Sequence, residues 1–147
     1  MNSRVSRLNA VEDRGPLRVM FLLTSMPVGG AETLLRNLVR SMERTQFEPE
    51  ICCLKGLGPI GEELAREFET HSHLLSHKLD LRVLPRLASL LKRRKIDAVI
   101  TVGCGDKMFW GRIAAKLAHV PVVASALHST GWPDGVGRLN RLLTPWT

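Results

Sequence analysis

Residues Arg18 to Thr24 read RVMFLLT, and the chain then passes through Ser25-Met26-Pro27-Val28-Gly29-Gly30 into Ala31 to Arg44, AETLLRNLVRSMER. The first piece is a short, unbroken apolar run bounded by Gly-Pro and Met-Pro. Its length suits a strand better than a helix. A run that is apolar on both faces is what a strand inside a parallel sheet presents. In the last piece Leu34, Leu35, Leu38, Val39 and Met42 recur at helical spacing, with Arg36, Arg40, Glu43 and Arg44 largely opposite. The chain therefore opens on a strand, a glycine loop and an amphipathic helix.

The same alternation continues downstream. Glu50 to Leu54 (EICCL) reads as a second strand, followed by a breaker-rich loop, Lys55-Gly56-Leu57-Gly58-Pro59. Ile60 to Glu69 reads as a helix with Leu64, Ala65 and Phe68 on its apolar side, and His73 to Leu75 as a short third strand. Val83 to Arg94 is a helix with Leu84, Leu87, Leu91 and part of Leu90 inward. Ala98 to Val102 is a fourth strand. Asp106 to Ala118 is a helix with Phe109, Ile113, Ala114 and Leu117 on one side, and Pro121 to Ala126 is a fifth strand. Strands alternating with helices predict an α/β fold, a Rossmann-like doubly wound parallel sheet. Right-handed crossovers put helices on both faces, with strand order about 3-2-1-4-5. Residues 1–16 read as a flexible N-terminal tail and residues 17–147 as one domain. The tail has no apolar core and does not resemble a secretory signal. A short helix is expected near Gly137 to Leu143.

Composition agrees with one globular unit. The chain has 147 residues, 44% of them hydrophobic and 24% charged, which excludes wholesale disorder. No apolar run approaches the length of a membrane-spanning helix. The net charge of +7 is uneven: Lys78, Arg82, Arg86, Lys92, Arg93, Arg94 and Lys95 face Asp80 alone. Such a run attracts phosphates or an anionic membrane surface, or is simply a solvated helix face with cations near its carboxyl end. Three cysteines, two of them adjacent, form neither a disulfide framework nor a zinc pattern. They suit buried apolar positions and a reducing, cytoplasmic setting.

In an open α/β sheet, ligands bind beyond the carboxyl ends of the strands, which leaves three candidate segments. After strand 1, Gly29 and Gly30 precede a helix. They let a ligand approach the backbone and leave the first helical N–H groups free for an anion. A plain turn would use the same residues, and Glu32 would then only complement the helix dipole. The pattern is neither G-x-G-x-x-G nor a P-loop, which disfavours dinucleotide and P-loop chemistry. After strand 4 come Gly103, Cys104, Gly105 and Asp106, with Asp106 placed as a helix cap. After strand 5 come His128, Ser129 and Trp132. A histidine there can hold a hydroxyl or exchange a proton near neutral pH, and Trp132 is assigned to the core. His71, His73 and His77 resemble a metal cluster at first sight, but their spacing fails for an extended segment with no acid nearby. No metal and no cofactor are expected. His119 is assigned to a loop.

The segment Arg18 to Met42, RVMFLLTSMPVGGAETLLRNLVRSM, resembles the opening of the GT-B glycosyltransferases of family 4: an apolar strand, a loop ending Gly-Gly-Ala-Glu, and an amphipathic helix. Ile113 to His128, IAAKLAHVPVVASALH, is similar to that family's fourth helix, fifth strand and terminal histidine. The likeness covers nearly all of the chain after its first sixteen residues. It implies transfer of a sugar from a nucleotide-sugar donor to a glycan or lipid-linked acceptor, with retention at the anomeric carbon and no obligatory metal. Cell-envelope polysaccharide is the implied context, and nucleic acid is not an expected partner.

The resemblance maps Gly29 and Gly30 to the loop near the donor phosphates and acceptor, with Glu32 beside them. It maps His128 to the residue that contacts the transferred sugar, with Gly103 and Ser129 as further candidates. It also implies a second domain that binds the nucleotide and carries a Glu-x7-Glu motif. No glutamate here has another eight positions later. Residues 17–147 are thus expected to be the acceptor-side domain, cut short at its carboxyl end and inactive alone. Arg82, Arg86, Lys92, Arg93, Arg94 and Lys95 are expected to form a membrane-surface patch that binds anionic headgroups without insertion. The alternatives are a non-catalytic Rossmann-like binding module and a different small-ligand enzyme of the same fold.

Overall fold

The computed structural model describes residues 15–77, 80–103 and 106–126, and of residues 106–108 the backbone alone. The elements in chain order are β1 (Leu17–Leu23), α1 (Gly30–Ser41), β2 (Phe47–Cys53), α2 (Gly58–Leu64), β3 (Thr70–His71), α3 (Val83–Arg93), β4 (Ala98–Val102), α4 (Asp106–Leu117) and β5 (Val122–Ala126). All strand pairs are parallel, and the sheet order is β3-β2-β1-β4-β5. This is the Rossmann-like α/β arrangement expected from the alternating pattern. The tail, residues 1–14, and the segment from Leu127 onward lie outside the described residues.

Side chains alternate across each strand, so the central strands feed two cores, one on each face of the sheet. Val19, Phe21, Leu23, Ile51 and Cys53 pack with Leu35 and Val39 of α1, Ile60 and Leu64 of α2, and Phe68. Met20, Leu22, Cys52 and Val99 pack with Val83, Leu87, Leu90 and Leu91 of α3 and with Trp110, Ala114 and Ala115 of α4. Chain movement leftward from β1 to β3 places α1 and α2 on one face. The return to β4 and β5 places α3 and α4 on the other, as right-handed crossovers require. Pro49 lies within β2 without breaking the sheet. The Ile51 N–H donates to Glu69 O on the β3 side, and residue 49, two positions earlier, faces the same way. β3 pairs only with Ile51 and Cys52, so no ladder bond is lost there.

Four expectations shift. The second helix ends at Leu64 rather than Glu69, and Ala65 just beyond it is exposed. The third strand is Thr70–His71 rather than His73 to Leu75. His73 has a left-handed φ of 59°, which ends the extended run. The chain still follows the β2 loop, with the His73 N–H donating to Lys55 O and the Leu75 N–H to Leu54 O. In α1 only Leu35 and Val39 are fully buried, while Leu34 and Leu38 are 57% and 48% exposed. Arg36 and Arg40 occupy the flank nearest α2, where they pair with Glu63 and Glu67. Leu34 and Leu38 lie on the opposite flank. In α4 the buried face is Trp110, Ala114 and Ala115, and Leu117 is exposed. A Cβ on Gly111 would lie 2.5 Å from Leu22 Cδ2 and 2.8 Å from Thr101 Cγ2. Gly111, Ala114 and Ala115 thus let α4 seat directly on β1 and β4, with Trp110 buried beside them and Leu117 turned outward.

A buried ion cluster ties α3 to the sheet. Glu50 of β2 has no exposed surface. Its carboxylate accepts from Arg94 Nε and Nη2 at 2.9–3.1 Å and pairs with His71 Nε2 at 2.9 Å. Burial pushes the Glu50 carboxyl up, but the hydrogen bonds from His71 and Arg94 outweigh it, so its pKa lies below the ordinary value. Arg18 extends the cluster by donating to Glu48 and to Arg94 O.

Candidate functional site

Because all strands are parallel, their carboxyl ends share one edge, where the connecting loops are stitched together by backbone bonds. The Leu54 N–H donates to Leu23 O, the Lys55 N–H to Thr24 O, the Met26 N–H to Leu57 O and the Ile60 N–H to Met26 O. Gly58 is the residue that permits this contact. It has φ +74°, and a Cβ there would lie 2.6 Å from Met26 O. The loop that presents Gly29 and Gly30 is therefore braced from beneath by the β2–α2 loop. Along the sequence Gly58 reads as a breaker. Its bracing role depends on Met26, which is remote in sequence.

Gly29 is the N-cap of α1, in an extended conformation and with no side-chain cap. Its carbonyl accepts from the Thr33 N–H at 2.9 Å. The first N–H groups of the helix, on Gly30, Ala31 and Glu32, have no partner within the helix and point toward the carboxyl edge. A Cβ built on Gly30 meets nothing within 4 Å, whereas one on Gly29 would run into the Glu32 carboxylate. Glu32 thus folds back over Gly29. A carboxylate at that place complements the helix dipole. The open approach is at Gly30.

Gly103 closes β4 with φ +97°, and its N–H donates to Ala126 O at 2.9 Å. The ends of β4 and β5 are therefore adjacent on the same edge as Gly30. Just below, the buried Thr101 Oγ1 shares a hydrogen bond of 2.8 Å with Ser125 Oγ. His128, Ser129, Trp132 and Cys104 lie outside the described residues, as does the side chain of Asp106. Among the described residues the edge thus joins Gly29, Gly30, Glu32 and Gly103.

The sequence profile of Glycosyltransferase Family 4 matches residues 28–147, from the residue before Gly29 to the end of the chain. The chain belongs to glycosyltransferase family 4. Compared with curated proteins one by one, it matches none.

Among the described residues, neither of the two cysteines and no group of histidines forms a reactive centre at this edge. Cys52 and Cys53 are buried free thiols. Burial pushes both upward, Cys53 to about 12, so neither supplies a thiolate nucleophile. The three clustered histidines diverge: His71 bonds Glu50, His73 Nδ1 meets Ser72 Oγ at 2.8 Å, and His77 is exposed. Among the described residues no three His, Cys, Asp or Glu side chains are grouped to hold a metal, and no helix is long and apolar enough to cross a membrane.

The cationic run is divided by the fold. Arg82, Arg86, Lys92, Arg93 and Lys95 are exposed. Arg94 does not join them, because its guanidinium turns inward to the buried Glu50 carboxylate. A basic run read along the chain cannot distinguish a surface cation from the partner of a buried acid 44 residues away.

Proposed function

We propose that this family 4 domain is the acceptor-side part of a glycosyltransferase that moves a sugar from a nucleotide-sugar donor to a glycan or lipid-linked acceptor, with retention at the anomeric carbon. The observation that carries the reading is the uncapped start of α1, open to a ligand at Gly30. A departing nucleoside diphosphate develops charge on its phosphate oxygens. Fixed backbone N–H groups and a helix dipole stabilise that charge without reorganising. Glu32 holds a sugar or acceptor hydroxyl beside it. His128 contacts the transferred sugar and shares charge at the reacting carbon, and Gly103 and Ser129 are further candidates for that role. The open edge supplies one side of a cleft. A second, donor-binding domain supplies the other.

A cytoplasmic enzyme of cell-envelope polysaccharide synthesis meets its acceptor at a membrane face. The exposed cations on and around α3 support peripheral contact with anionic headgroups there. The test joins the chain to a donor-binding domain. His128→Ala should then lower kcat more than it weakens donor binding, and Gly30→Val should raise the donor KM by about tenfold or more through loss of backbone approach. Unchanged turnover in both variants would remove this edge from the site. Tight nucleotide-sugar binding by the 147-residue chain alone would also count against it.

A further inference from the structure

The outward side of α3 carries a second feature beyond its charge. Arg82, the residue before the helix, is followed by Arg86, Ser89 and Arg93 at steps of four, three and four residues, which sets them along one stripe. All four are exposed. The stripe extends about 16 Å at the helical rise per residue. Opposite it runs the segment leaving β3. Two adjoining hollows lie between them, of about 430 Å³ and about 590 Å³, and both are walled by Arg82 and Arg86. His77 closes the first; Ser89 and Arg93 line the second.

Asp80 is the one acidic residue lining either hollow among those described. Its oxygens are already engaged. Oδ1 accepts from the Arg82 N–H at 3.1 Å, and Oδ2 from the Ser76 N–H at 3.3 Å and Arg86 Nη1 at 3.4 Å. It therefore shapes the turn and holds Arg86, whose Nη1 also donates to Leu74 O at 3.3 Å, while Arg82, Arg86 and Arg93 line the groove. Each guanidinium offers five donors in a planar fork. Together with the Ser89 hydroxyl, these exceed what one carboxylate can accept. They match phosphate, whose oxygens take forked bonds from arginine. A hollow with walls also suits a discrete group better than diffuse attraction to a plane.

We propose that this groove is a phosphate-binding site, with Arg82 and Arg86 as the paired donors, His77 at one end, and Arg93 taking a second anionic group further along. Where the phosphate belongs to a lipid, the inference rests on and deepens the peripheral headgroup contact proposed above; where it belongs to a soluble ester, it goes beyond that contact, and neither depends on sugar transfer. The phosphate can belong to a soluble ester or to a lipid headgroup, and the experiment separates the two. The 147-residue chain is titrated with inorganic pyrophosphate at constant ionic strength while the histidine ring signals are followed by NMR. In parallel it is mixed with phosphatidylglycerol or phosphatidylcholine vesicles.

A saturable shift of His77, with His73 and His119 still, places the site on a soluble phosphate. Binding to phosphatidylglycerol but not to phosphatidylcholine, without a pyrophosphate response, places it on a lipid. In either arm Arg82→Gln/Arg86→Gln should weaken binding about tenfold or more, the loss of at least one charge-assisted hydrogen bond. Arg44→Gln/Arg66→Gln, which removes two cations that line neither hollow, should leave it unchanged. Arg82→Gln alone spares the Arg86–Asp80 contact and guards against misfolding, and far-UV circular dichroism checks both variants. Three results would overturn the proposal: no binding in either arm, retained binding in the Arg82/Arg86 variant, or equal loss in the control.

Discussion

Replacing Arg94 with methionine should destabilise the domain by about 2–3 kcal/mol, although the residue belongs to a run of cations that reads as surface. Arg94 donates three hydrogen bonds of 2.9–3.1 Å to a carboxylate with no exposed surface. Removing one member of a buried pair costs about 3–5 kcal/mol, because the remaining charge is left desolvated. Two features lower the figure here. The Arg94 side chain keeps 29% exposure, so solvent screens part of the attraction. His71 at 2.9 Å and Arg18 at 3.9 Å still face Glu50 after the change. The assay is urea unfolding at pH 7 followed by far-UV circular dichroism, read as a fall in midpoint at unchanged m.

The double variant Glu50→Leu/Arg94→Met removes both charges and should lie within about 1 kcal/mol of the parent, since an apolar pair replaces a buried ion pair at little cost. A single-variant loss under about 0.5 kcal/mol, or a double-variant loss equal to the sum of the singles, would refute the reasoning. The pH dependence has a definite sign. The folded Glu50 pKa is lowered, so its contribution is full above the unfolded glutamate value of about 4.3 and is lost as pH falls through the folded value. Glu50→Gln should lack that acid-sensitive portion.

Gly58→Ala should cost about 2 kcal/mol or more, from the left-handed φ and the contact with Met26 O, whereas Gly56→Ala, whose Cβ meets nothing nearer than 3.9 Å, should be tolerated; thermal melts compare them. Leu35→Ala should lose about 2–5 kcal/mol, and Leu38→Ala, on the exposed flank, far less; similar losses in denaturant titrations would contradict the assigned burial of α1. Cys52 and Cys53 should resist a thiol reagent at pH 8 in the native protein and react fully in urea, as peptide mapping would show; rapid native labelling would mean that the β2 core opens.

The order and type of the elements are legible in the sequence alone. An apolar run such as Arg18 to Thr24, or the helical recurrence of Leu35 and Val39, is a local signal, and the rules of right-handed, unknotted connection convert a series of such signals into one sheet order. The Gly-Gly start of α1 was legible for the same reason, since a glycine pair between a strand and a helix needs no remote partner to be recognised. Even so, the sequence gives Gly29 and Gly30 equal standing. The structure separates them, because the Glu32 carboxylate folds over Gly29 and leaves the approach at Gly30 open.

What stayed hidden depends on residues far apart in the chain. Arg94 looks like its neighbours Arg93 and Lys95 until Glu50, 44 positions away, is brought beneath it. Gly58 looks like an ordinary breaker until Met26 O arrives within reach of its absent Cβ. The α4 face does not follow from hydrophobicity alone, because the close approach to Leu22 and Thr101 requires a glycine at position 111 and so sets which face turns inward. Asp80 and Arg86 form a groove only because α3 packs beside the segment leaving β3. Periodicity and turn chemistry act over a few residues and are written along the chain. Charge pairing, close backbone approach and concavity are set by distances in space, and they exist only once the sheet has brought its loops together.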